Sequence, residues 1–545
     1  MRLNHQMKII LPCVLWGLAG CSGSQFGAGN PISGTKSKKN KESTPAGPTD
    51  TLQEGTDRPD GVAVPGDDVV NDPAAEDPSK NIYVVNGSTC IKPFTLPSAV
   101  ESLKVKYNWV AEGPVADFNQ VMSTPVISLV EGMDAPLIVV SAFKGTSYLE
   151  GGYIYGIHGK DGKQKFVADK AARAMAPSSP AIAKIKLKTR IYYFGLDSYL
   201  YALSTSGAVL WKSNQLAAEP GLLMVQGGPQ VVDLRNGKGP VVLAPKGAFD
   251  PLTGERRFEL KDARDFPVIA ADTDLQGSLE IVTSESILNA DGSSKCAFGE
   301  KLTSIAAAQL QSDHSYQTIV GVRAYENRGK FAGYRGDTCA RVFESGFENV
   351  ELNKISGGPV NIGPLFGPGT LGISFAGKNN YIGLLNSGLR WTANTDDDSS
   401  QTGGSLFDLN GDGRVEVVYN DHDNLYVLDG NSGRTIYQTA NSSGTLFEYP
   451  IIADADNDGK GDIIVGANNA QPYASGPRTG VVVFQSQAND FLPARPIWHQ
   501  HGFNPLLIAD DGSIEAERLP AFEQKSFNVG YRNNIGFSKN LSACP

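Results

Sequence analysis

Two short acidic stretches hold the residues best suited to chemistry: DLNGDGRVEVVY, Asp408 to Tyr419, and DADNDGKGDIIVG, Asp454 to Gly466, 46 residues further on. Relative positions 1, 3, 5 and 9 carry oxygen-bearing side chains in both. These are Asp408, Asn410, Asp412 and Glu416, then Asp454, Asp456, Asp458 and Asp462. Alternate side chains of a tight loop converge on one point, where a hard cation such as Ca²⁺ takes several oxygens at roughly 2.3–2.6 Å. Gly413 and Gly459 at position 6 permit the sharp turn that lets a backbone carbonyl join them, from Arg414 or Lys460 at position 7. The same residue types also build metal-free surface turns. Repetition of one register ahead of two equivalent apolar runs points to calcium.

The elements that must hold these loops are strands. The first half of each loop resembles an EF-hand, which needs a bidentate Glu at position 12 and a helix on each side. Here the last carboxylate falls at position 9, and the run that contains it, VEVVY or DIIVG, is short and β-branched. Each loop therefore joins two strands.

The 545 residues are 40% hydrophobic, enough for a large core, and the 61 glycines suit a chain with many tight turns. Lys+Arg 48 against Asp+Glu 58 gives a net charge of −10, which argues against nucleic acid as a partner. At the N-terminus, Arg2 and Lys8 precede an apolar run from Ile9 to Ala19, too short for an ordinary membrane-spanning helix, and the run ends in Leu18-Ala19-Gly20-Cys21. This start resembles a bacterial lipoprotein signal. The resemblance implies cleavage after residue 20 and a lipid on Cys21, so that acyl chains anchor the protein to a membrane. Ser22 after the cysteine implies an outer-membrane lipoprotein of the cell envelope, periplasmic or surface-exposed. Residues 21–80 are rich in Gly, Ser, Thr, Pro and charge, with almost no aromatic content, and read as a disordered tether.

From residue 81 the pattern turns to short strands and glycine turns, and it repeats. Units start at Thr124, Ser179, Gly228, Phe266, Thr303, Gly358, Gly404 and Tyr449, a spacing that suits four-stranded propeller blades. The last unit has three clear strands of its own, and the stretch around Trp109 looks like the outer strands around Trp211, Trp391 and Tyr437. Residues 104–111 are thus expected to supply the missing fourth strand and close the ring. The fold expected is all-β, a propeller of eight four-stranded blades over residues 81–490, with residues 491–545 packed on it. The alternative is seven blades, with the unit from Thr303 an insertion.

With the acidic loops, these units resemble FG-GAP/VCBS repeats of integrin-α-like propellers. The resemblance implies structural calcium held by Asp408, Asn410, Asp412, the Arg414 carbonyl and Glu416, and by Asp454, Asp456, Asp458, the Lys460 carbonyl and Asp462. A degenerate relative at Asp272, Asp274, Gln276 and Glu280 is a weaker metal candidate, with Gln276 where an Asp is expected. The unit from Ser179 has Lys184, Lys186 and Lys188 in this region and is expected to take no metal.

Six cysteines are present; Cys13 leaves with the signal and Cys21 takes lipid. The remaining four suit an oxidising compartment, with Cys90–Cys544 clamping the ends and Cys296–Cys339 joining neighbouring units, free thiols being the alternative. Catalytic signatures such as GxSxG, HExxH or a P-loop are absent, and His499-Gln500-His501 reads as surface or packing. Arg335-Gly336-Asp337 is an adhesive tripeptide in composition, of a kind common by chance. The function expected is a calcium-stabilised envelope protein binding a protein or glycan. The alternative is a polysaccharide-active or quinone-dependent enzyme on the same scaffold.

Overall fold

The computed structural model describes residues 80–85, 88–93 and 102–514, apart from 215, 217–226, 261–267, 312–313, 326–327, 347–356, 368–369, 413 and 473. The leader, the tether, Cys21 and Cys544 lie outside the described residues, as does the side chain of Cys90, which sits in an antiparallel hairpin of Lys80–Val85 with Ser88–Pro93.

Eight antiparallel sheets follow one another around a ring, each an up-and-down meander whose first strand is innermost. Those innermost strands are Val126–Ser128, Ala181–Ile185, Gln230–Val232, Ile269–Ala271, Ser304–Ala308, Asn361–Gly363, Gly404–Phe407 and Ile451–Ala453. They begin blades 1 to 8. Each falls inside a unit read from the sequence, because a fully buried innermost strand shows as a short apolar run between turn residues. Blade 1 has a divided inner edge, with Gln120–Val121 pairing the same second strand, Leu137–Phe143. Blade 5, the suspect insertion, is a regular four-stranded sheet, so the ring has eight blades rather than seven. Among the described residues there is no α-helix, only 3₁₀ turns, and no helix long and apolar enough to cross a membrane.

Closure comes from Leu103–Trp109, which pairs antiparallel with Gly480–Ser486 as the outermost strand of blade 8. Chain-distant strands thus share one sheet, and the last blade is completed to four strands. Outer strands are cemented to the next blade by an aromatic ring lying on a turn glycine. Trp211 of blade 2 lies on Gly254 of blade 3 and donates Nε1 to Pro251 O at 3.2 Å. Trp391 of blade 6 lies on Gly433 of blade 7 and donates to Gly430 O at 2.8 Å. Tyr107 of blade 8 lies on Gly162 of blade 1. Between blades 4 and 5 a disulfide takes this place: Cys296 holds the aromatic's register position, and Cys339 the left-handed turn position, with φ 60°. Cys339 therefore sits in the turn before the outermost strand of blade 5.

At the ring axis the chain's own C-terminal segment runs against the inner strands of blades 8, 1, 2 and 3. Trp498 exchanges both backbone hydrogen bonds with Ile127, Ile182 N donates to His499 O at 2.8 Å, and Val231 N donates to Gln500 Oε1 at 2.7 Å. The segment then turns and returns, with Lys184 N donating to Gly512 O at 2.7 Å. Arg495 ties the limbs together, pairing with Asp510 and donating to the carbonyls of Pro505 and Ile508. Ile497, Trp498, Phe503, Ile508 and Ile514 join one core cluster with the inner strands of blades 8, 1, 2 and 3.

Candidate metal centre

The loops at 272, 408 and 454 all connect the first and second strands of their blades, 4, 7 and 8. They share one backbone frame. The amide at position 2 donates to the carboxylate at position 9: Thr273 N to Glu280 at 2.9 Å, Leu409 N to Glu416 at 2.7 Å, Ala455 N to Asp462 at 3.1 Å. The amide at position 6 donates back to position 1, Gly277 to Asp272 at 3.0 Å and Gly459 to Asp454 at 2.8 Å. Gly459 needs to be glycine for this, at φ 85°.

The side chains are gathered unequally. In blade 8, Asp454, Asp456 and Asp462 each bring an oxygen within 4.8 Å of the others, as do Asp272, Asp274 and Glu280 in blade 4. Asp458 turns aside to accept from Asn489 Nδ2 at 2.7 Å, and Gln276 folds its amide back to the Asp274 carbonyl at 3.3 Å. In blade 7, Asn410 Nδ2 donates to Glu416 Oε1 at 3.1 Å, and Asp412 meets Arg414 Nη2 at 3.2 Å. Arg414 and Lys460 also donate their amides to the position 5 carboxylates, each at 2.8 Å.

Burial sets the charge of these groups. It holds the carboxyls of Glu416 and Asp454 well above the usual range, reinforced by Asp408 beside the first and by Asp458 and Asp462 beside the second. Asp462 is pushed up to about 7 by burial, against the pull of Lys106. A cation in any of these loops would relieve this cost. The donors are all oxygens and suit a hard cation.

Two lysines that the sequence reading missed stand in these loops. Lys106 Nζ lies 2.6 Å from Asp456 Oδ2 and 3.2 Å from both oxygens of Asp462. Lys295 Nζ lies 2.6 Å from Asp274 Oδ2 and 3.3 Å from Glu280 Oε1. At the corresponding register of blade 7 the outer strand carries Ile436, which packs against the cluster that contains Leu409.

The remaining sequence candidates resolve simply. Arg335 and Asp337 bind each other at 2.6 and 2.9 Å while the guanidinium stacks 4.1 Å over Tyr316, so the tripeptide is spent internally. Burial holds the fully enclosed His499 imidazole down to about 3, and His501 Nδ1 meets Thr124 Oγ1 at 3.1 Å, so both pack the axis. In blade 2, Lys184 pairs with Asp511 at 2.8 Å.

Residues 408–465 match the FG-GAP-like repeat family, so the chain carries an FG-GAP-like repeat within an eight-bladed β-propeller. No protein of curated function matches the chain. Among solved structures, the V. cholerae biofilm matrix protein Bap1 aligns with a TM-score of 0.71 at 18% identity, over 80% of this chain and 100% of that one. The Bacillus licheniformis rhamnogalacturonan lyase PL11 aligns at 0.48 and 13%, over 74% of this chain and 78% of that one. A quinohemoprotein alcohol dehydrogenase of Comamonas testosteroni aligns at 0.41 and 12%, over 72% and 78%. At 18% identity the likeness to Bap1 is one of fold.

Proposed function

We propose that this chain is a lipid-anchored propeller of the cell envelope, stiffened by calcium, that binds a glycan or protein ligand through its ring face and long loops. The observation that carries this reading is the hairpin at the axis. Trp498, with no exposed surface, and the hairpin around it cover the inner strands of blades 8, 1, 2 and 3, where a propeller could otherwise present a small-substrate site. What remains for function is a rigid scaffold with exposed loops, the usual setting for recognition. The name of the Bap1 structure, a biofilm matrix protein, supports an extracellular setting, and the signal-like start ending in Cys21 supports a lipid anchor. Calcium is supported by the all-oxygen loops of the FG-GAP-like repeat, where Asp408, Asp412 and Glu416 would hold the ion together with the side chain of Asn410 and the carbonyl of Arg414.

The test is retention of the purified protein on immobilised envelope polysaccharide and outer-membrane extract, in calcium and in chelator. Calcium-dependent retention without turnover is expected. Release of an oligosaccharide, or reduction of a quinone-linked dye, would reverse the assignment.

A further inference from the structure

In all eight blades the outermost strand skips one residue against the third strand, a bulge at the same register. A bulge leaves its extra residue unpaired and re-aims the side chain. In three blades the structure shows where it points. Lys106, between Val105 and Tyr107, reaches the loop at 454; Lys295, between Ser294 and Cys296, reaches the loop at 272. Arg257, between Arg256 and Phe258, donates Nη1 to the carbonyls of Lys238 and Gly239, in the corresponding loop of blade 3, at 2.9 and 3.3 Å. The bulge residue of blade 7 is Ile436, which brings no charge.

We propose that the bulge residue decides which acidic loops take calcium. Lys106 and Lys295 are the resident cations of the loops at 454 and 272, and the loop at 408, opposite Ile436, is the one that takes a free ion. This rests on the calcium reading of the FG-GAP-like repeat. An ammonium among the carboxylates uses the same oxygens that calcium would need and occupies the point on which they converge. Each lysine is mostly enclosed, with side-chain exposures of 13% and 16%, so it is not a surface charge that happens to pass by. The 454 loop, with carboxylates at all four ligand positions, is the more acidic by sequence, yet it holds a cation supplied by the strand that closes the ring.

Equilibrium dialysis of the purified full chain against calcium, at millimolar free ion, counts ions per chain. About one is expected for the wild type. Lys106→Met and Lys295→Met should each add one, and Ile436→Lys should remove the one. The last variant inserts a lysine at a half-buried rim position, so it keeps the test usable if opening blade 8 at Lys106 prevents folding. A wild type that binds three ions, or counts unchanged by all three variants, would overturn the inference. A wild type that binds none while both Met variants gain an ion would overturn the assignment of the ion to blade 7, whereas no binding in the wild type or in either Met variant would remove the calcium reading itself.

Discussion

Asp397 has no exposed surface in the connection between blades 6 and 7, where Tyr419 Oη donates to Oδ2 at 2.7 Å and Ser399 donates to Oδ1 from N and Oγ at 2.9 and 2.8 Å. Burial outweighs these donors and pushes its pKa up to about 6. From about pH 4 to pH 6 the folded protein keeps a proton that the unfolded chain releases, so Asp397 stabilises most below the ordinary carboxyl value and loses that contribution as pH rises. The full swing is about 3 kcal/mol. Lowering the pH from 7 to 4.5 should therefore move the urea midpoint less in the stabilising direction, or further in the destabilising one, in Asp397→Asn than in the wild type. An equal difference in both would deny the assignment. At this scale the loop oxygens were legible, because they sit within nine residues of one another. Lys106 was not: 356 positions separate it from Asp462, and only the bulge register shows where its side chain goes.

The aromatic-on-glycine contacts between blades form a repeated joint, and the Cys296–Cys339 disulfide is one joint made by other chemistry. Closing a loop across a separation of 43 residues constrains the unfolded chain by about 4 kcal/mol. The double change to serine should lower the melting temperature under oxidising conditions. Cys296→Phe with Cys339→Gly, the pair that Phe166 makes with Gly207 and Phe258 with Gly292, should recover part of the loss; no recovery would show the register likeness to be incidental. The axial hairpin makes a second prediction at this scale. Trp498→Ala should cost about 3–5 kcal/mol by denaturant titration, and more than Trp211→Ala at the half-exposed rim. The inner strands were readable from apolar runs between turns. The hairpin from residue 495 was not, since it lacks both strand alternation and helical period and is ordered by the inner strands of other blades.

Taken whole, the molecule couples its acidic loops to its axis. Leu492 N donates to Leu409 O at 3.3 Å, Gly461 N to Leu492 O at 3.0 Å, and Asp454 N to Arg495 O at 3.2 Å, so the segment entering the axis is hydrogen-bonded to the loops of blades 7 and 8. Fixing the 408 loop with an ion should steady the start of that segment, and calcium should raise the melting temperature of the whole ring rather than of one blade. Ring closure was legible from the count of strands in the last unit. The expected closing strand, 104–111, is displaced by a residue or two from the observed Leu103–Trp109, which its pairing with Gly480–Ser486 fixes.

The most direct measurement is a calorimetric titration of chelator-stripped protein with CaCl₂, run beside a variant in which Asp408 and Glu416 are both alanine. Binding heat is expected in the wild type, with a dissociation constant on the order of 10⁻⁴ to 10⁻³ M, and none in a folded variant. No heat in the wild type, or equal heat in both, would contradict it.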